Sequence, residues 1–104
     1  QGLTSGYAQV KQVFDFYSDA GHGWVKVPKQ VLNDLNIADK ITSYSYQRGD
    51  YAYLEEDLDA GTFLHAYVDK YKTNPRFNNH YSDHSRIRSY ECYDGKIMAT
   101  IYEV

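Results

Sequence analysis

The sequence predicts an α+β domain: an antiparallel sheet of about five or six strands, with one long and one short helix packed on one face. Three observations predict it. Strand-like runs flank two turn signals, Arg48-Gly49-Asp50 and Asp94-Gly95. Leu58, Phe63, Leu64, Tyr67, Val68 and Tyr71 recur at helical spacing. Further runs rich in Val, Phe and Tyr lie on both sides of that helix.

Val10, Val13, Phe14 and Phe16 place a first strand over Val10 to Tyr17. Asp19-Ala20-Gly21-His22-Gly23 is a turn, with two glycines bracketing a histidine. Trp24, Val25 and Val27 form a short strand ending at Pro28, and Trp24 is expected in the core. Proline suits a first helical turn, and Val31, Leu32 and Leu35 follow it, so Pro28 to Leu35 reads as the short helix, closed by Asn36.

Ile41 to Gln47 alternates, with Ile41, Ser43 and Ser45 on one side and Thr42, Tyr44 and Tyr46 on the other. After the turn the chain returns as Tyr51-Ala52-Tyr53-Leu54, completing a hairpin. Asp57 or Asp59 can cap the long helix, and Asn74-Pro75 ends it. Phe77 to Tyr81 reads as a strand. Ile87 to Tyr93 and Ile97 to Tyr102 read as the arms of a last hairpin, which would bury Cys92 as an inert thiol.

A chain of 104 residues supports one domain, taken as residues 3–104. Gln1 and Gly2 suit a protease-tag remnant and are set aside. No apolar run approaches the roughly 18 residues that span a bilayer, and no signal-peptide layout opens the chain. The single cysteine fits a reducing cytoplasm. A net charge of −3 argues against general nucleic-acid binding.

Twelve tyrosines and no recognisable catalytic motif point to contact rather than catalysis. A phenol buries a large ring yet keeps a hydroxyl that wants a partner, which suits half-wet surfaces. Tyr44, Tyr46, Tyr51 and Tyr53 on the hairpin arms are the expected anchors, with Glu55, Glu56 and Asp57 as a charged rim. The competing reading is that these rings only pave the sheet as cross-strand pairs.

Charge is unevenly laid out. Asp50, Glu55, Glu56, Asp57 and Asp59 fall together without a Lys or Arg, whereas Lys70, Lys72, Arg76, Arg86 and Arg88 outnumber Asp69 and Asp83 further on. Favourable placement about the dipole of the long helix explains much of this. Docking of a charged partner is the functional alternative.

The segment from His80 to Tyr90 offers an alternative site of His80, His84, Arg86, Arg88 and Tyr90. These side-chain types serve small metal-independent nucleases. A metal centre on His80, Asp83 and His84 lacks a cysteine pair and a clear helical register, and a serine triad at Ser85 lacks the flanking glycines. No metal and no cofactor are expected. His22, between two glycines that let a ligand approach the backbone, is a further site candidate.

The blocks His22-Gly23-Trp24-Val25-Lys26-Val27-Pro28, Ile37-Ala38-Asp39-Lys40-Ile41, Ser43-Tyr44-Ser45-Tyr46 and Tyr53-Leu54-Glu55-Glu56-Asp57, with Phe63, His80, Ser85, Ile87-Arg88 and Tyr90, cover about two thirds of the chain. In these blocks the chain resembles a family of small uncharacterised bacteriophage and plasmid proteins. The family carries no function that transfers. The resemblance implies origin: a cytoplasmic accessory protein of a mobile element in a bacterial host. The expectation is therefore a non-enzymatic binding module for a host macromolecule, foremost a host protein, acting as an inhibitor of a defence system in the manner of an anti-CRISPR. Membrane partners are not expected. Pairing across an exposed sheet edge would give a homodimer.

Overall fold

The computed structural model describes residues 12–95. The elements run β1 (Val13–Ser18), β2 (Gly23–Pro28), α1 (Lys29–Asp34), a 3-10 turn (Ala38–Lys40), β3 (Tyr46–Arg48), β4 (Tyr51–Glu55), α2 (Asp59–Tyr71), β5 (Arg76–Tyr81), a second 3-10 turn (Arg86–Ser89) and β6 (Glu91–Cys92). The six strands form one open sheet in the order β5-β1-β2-β4-β3-β6. This is the expected α+β architecture, with one long and one short helix.

One pairing departs from the antiparallel expectation. β5 runs parallel to β1, with Val13 opposite Arg76 and Ser18 opposite Tyr81. β1, β2 and β4 alternate in direction, so β4 and β5 point the same way. Strands so related need a crossover, and α2 supplies it.

Alternation sends Phe14, Phe16, Val25, Val27, Ala52 and Leu54 to the face that carries both helices. There they meet Leu32 and Leu35 of α1 and Ala60, Phe63 and Tyr67 of α2. Val27, Leu32, Leu54, Phe63 and Tyr67 are fully buried. Each such side chain contributes roughly 1.5–3 kcal/mol through loss of water contact. Phe14 sets its ring edge-on to Phe63 at 5.1 Å and to Tyr67 at 5.9 Å.

Local chemistry explains the helix ends. Asn36 takes φ 61°, and the amides of Asn36 and Ile37 reach back to the carbonyls of Asn33 and Leu32. That left-handed closure is the stop expected from the sequence. At the other end of the hairpin, Gly49 at φ 59° occupies the first position of a two-residue turn between Arg48 and Tyr51.

Four expectations need correction. Leu58 occupies the N-cap position of α2 and gives no side-chain cap, so neither Asp57 nor Asp59 acts as one. Asp59 is instead fully buried, and its Oδ2 accepts from the Thr42 amide, the Thr42 hydroxyl and the Ser45 hydroxyl. That pull explains the second correction: residues 41–45 curl as turns, and β3 begins only at Tyr46. Third, Ile87 to Tyr93 is not one strand. Ser85 accepts from the Ile87 amide and caps a 3-10 turn, leaving a two-residue β6. Fourth, Cys92 on that edge strand is exposed. Val10 and the arm from Ile97 to Tyr102 lie outside the described residues.

Candidate binding grooves on the aromatic face

The same alternation sends Tyr17, Trp24, Lys26, Tyr46, Tyr51, Tyr53 and Glu55 to the face away from the helices. Trp24 and Tyr53 are buried there, together with Ile87 from the second 3-10 turn, and Tyr17, Tyr46 and Tyr90 pack around them. Tyr90 stands edge-on to Tyr53 with ring centres 5.0 Å apart. Trp24 is thus buried as expected, but in a second cluster rather than under α2.

An ion pair holds the turn onto this face. Arg88 donates from Nε to Asp19 Oδ2 at 2.7 Å and from Nη2 to Asp19 Oδ1 at 2.8 Å. Asp19 also accepts from the amides of Gly21, His22 and Ser85. The guanidinium first, and then these amides, hold the Asp19 carboxyl well below the usual carboxylate range, against the cost of partial burial. The hydrogen bond to Asp19 likewise raises Arg88 above its ordinary value. Arg88 lies 5.5 Å over the Trp24 ring and 3.0 Å from His22 Nδ1. Because a guanidinium only donates, His22 must present Nδ1 as an acceptor. His22 is stacked on Trp24. At Gly23 a Cβ would meet Glu56 Oε1 at 2.7 Å and the ring of Phe16, so a larger residue there would have to displace both side chains.

Ile87 and its turn divide the face into two grooves. The first, of about 370 Å³, is lined by His22, Trp24, Tyr44, Tyr46, Glu55, Leu58 and Arg88. Tyr44 is 75% exposed and Leu58 52%. The second, of about 440 Å³, is lined by residues of β1, β2 and β4 and by the segment 82–90.

The sequence candidates are therefore dispersed. Tyr44 and Tyr46 share the first groove, Tyr53 floors the second, and Tyr51 lies apart beneath Lys26 Nζ, 4.2 Å from its ring centre. Glu55 lines the first groove, and its carboxylate accepts from the amides of Asp57 and Leu58, fixing the turn into α2. Glu56 faces the helix side, beside Phe16 and Phe77. Asp57 is exposed.

The alternative candidates are divided too. His84, Arg86 and Tyr90 line the second groove, whereas Arg88 faces the first. His80 stacks on Tyr17 with 4.8 Å between ring centres and sets Nε2 2.9 Å from Asp15 Oδ1. Among the described residues no group of three His, Cys, Asp or Glu side chains could hold a metal ion. No described helix is long and apolar enough to cross a membrane.

Sequence reasoning missed Tyr17, Lys26, Asp19, Leu58 and Ile87 as site residues. Tyr17 and Lys26 sit at alternate positions shared with Asp15 and Trp24, which was a usable signal. The Asp19–Arg88 pair, 69 positions apart, left none.

No protein-family model, no curated protein and no solved structure matches this chain.

Proposed function

We propose that this chain is a non-enzymatic binding module that docks a protein of a bacterial host, as a small accessory protein of a bacteriophage or mobile element acting against a host defence system. The observation that carries the reading is the first groove. Tyr44 and Leu58 stand exposed on its banks, Trp24 forms its floor, and Arg88 is already fixed in place. Rigid aromatic and arginine anchors around a pocket are the usual centre of a protein interface. Glu55 lines this groove, and the exposed carboxylate of Asp57 follows close behind it in the chain; both favour a partner with basic charge. The resemblance to phage and plasmid proteins supports the origin.

The test is capture from host lysate with the wild-type chain and with Tyr44→Ala. A specific host protein retained by the first and lost by the second is the expected result. Equal capture by both would remove this groove from the account. Asp57→Lys probes the acidic stretch without disturbing Glu55, whose carboxylate shapes the turn.

A second reading, a metal-independent nuclease, draws on His84, Arg86 and Tyr90 sharing the other groove. Arg88, committed to Asp19, is withdrawn from it. Incubation with single-stranded RNA distinguishes the readings: cleavage abolished by His84→Ala supports the nuclease, and intact RNA removes it.

A further inference from the structure

We infer that the second groove is a nucleotide site, in which Lys26, Arg86 and the Ser85 hydroxyl take the phosphate and the rings of Tyr17, Tyr53 and Tyr90 take the base. This goes beyond the protein-docking reading and does not depend on it, because the two grooves lie on opposite sides of the Ile87 turn.

The lining chemistry carries the inference. Lys26, His84 and Arg86 line the groove, and no carboxylate does. Asp15, which borders Tyr17, is engaged by His80 Nε2. Among the described residues neither Lys26 nor Arg86 has a carboxylate within ion-pair distance, although Lys26 Nζ lies over the Tyr51 ring and Asp15 is its partner across the strands. An anion is the complementary occupant. Ser85 Oγ accepts from the Ile87 amide, which leaves its own hydrogen for a further acceptor. Ser82, by contrast, spends its hydrogen on the His84 carbonyl.

The rest of the occupant must be aromatic. Tyr17, Tyr53 and Tyr90 form one wall, and a volume of about 440 Å³ exceeds what a bare phosphate fills. Sequence-tolerant stacking of bases on aromatic side chains beside basic groups is how nucleotides are commonly held. Burial, then the neighbouring Tyr90 and Tyr17, pushes the Tyr53 hydroxyl up to about 12, and burial raises that of Tyr17. The Tyr53 and Tyr17 phenols thus stay protonated at neutral pH and offer donors to the polar edge of a base. A phosphotyrosine ring has no such edge, which favours the nucleotide over a phosphorylated peptide.

The test is calorimetric titration of the full chain with adenosine and uridine 5′-monophosphates, a short single-stranded RNA, inorganic phosphate and phosphotyrosine. Saturable binding of nucleotide or strand, with phosphate alone far weaker, is expected. Arg86→Ala should weaken binding about tenfold, as loss of a charge-assisted contact does, and Tyr90→Ala should weaken it as well. Tyr44→Ala, in the other groove, should leave it unchanged. Comparable affinity for mononucleotide and strand identifies a free nucleotide as the source. Tighter, salt-sensitive strand binding identifies RNA. The inference is overturned if neither binds, if phosphotyrosine binds more tightly, or if Arg86→Ala, shown folded by circular dichroism, binds as wild type does.

Discussion

On one face of the sheet, Phe14, Val25, Val27, Ala52 and Leu54 meet α1 and α2 in an apolar layer. On the other, the same strands present Tyr17, Trp24, Tyr46 and Tyr53 to one short turn, whose Ile87 is inserted among them. The helix face is closed by apolar contact along a helix of 13 residues. The aromatic face is closed by one wedge and one ion pair, and both its grooves stay open beside that wedge. Apolar burial is non-directional and sums over area, whereas the Asp19–Arg88 bond is directional and singular. The difference teaches where this molecule stores stability and where it exposes chemistry.

Substitutions can break that contrast, beginning with the most severe. Phe63→Ala empties the centre of the helix face and should cost about 3–5 kcal/mol, read as a lower urea midpoint. Ile87→Ala should cost about 2–4 kcal/mol and also open the wall between the grooves. If Ile87→Ala leaves the midpoint unchanged, the aromatic face is not a second core.

Acid sharpens the contrast. Because Asp19 is held below its ordinary value of 3.8, the stability it supplies is present above that pH and is lost as pH falls below it. Asp19→Asn should flatten this acid limb in midpoints measured against pH. An unchanged limb would show that the clamp contributes nothing to folding. Base works through burial. The Tyr53 and Tyr93 hydroxyls are both pushed up to about 12, chiefly by desolvation. Their contribution is intact below pH 10, the ordinary value, and is lost as pH rises from 10 towards 12. In a spectrophotometric titration Tyr53→Phe should remove one late-ionising ring. A single transition for all phenols would contradict the burial of both.

The smallest expected effect is that of Tyr44→Ala. At 75% exposure its ring supports no core, so stability should stay within about 0.5 kcal/mol of wild type while host-protein capture is lost. A larger drop in thermal midpoint would make Tyr44 structural.

Much of the fold was legible because it is written in short-range chemistry. Gly49 marks the hairpin, Asn36 stops α1, and the Leu58 to Tyr71 spacing locates α2. What was not legible depends on distant partners. Nothing near Phe77 says that β5 lies parallel to β1. Ile87 to Tyr93 has strand composition, yet Ser85 and Asp19 fold its first half into a turn. The acidic run looked like helix capping, but Asp59 is buried and braces residues 42–45. For the site, the hairpin tyrosines were readable as a group. Their division between two grooves was not, because the divider comes from the far end of the chain.

That separation of 69 positions between Asp19 and Arg88 also sets an order of events on the ribosome. Nearly all the apolar layer, from Phe14 to Tyr67, has emerged before Ser85 leaves the exit tunnel. Neither groove can exist until then, so a nascent chain acquires its body first and its capacity for recognition last. Pulse proteolysis of chains stalled with Arg88 inside the tunnel and, on a C-terminal extension, outside it would expose that sequence as a late gain of protection around Trp24.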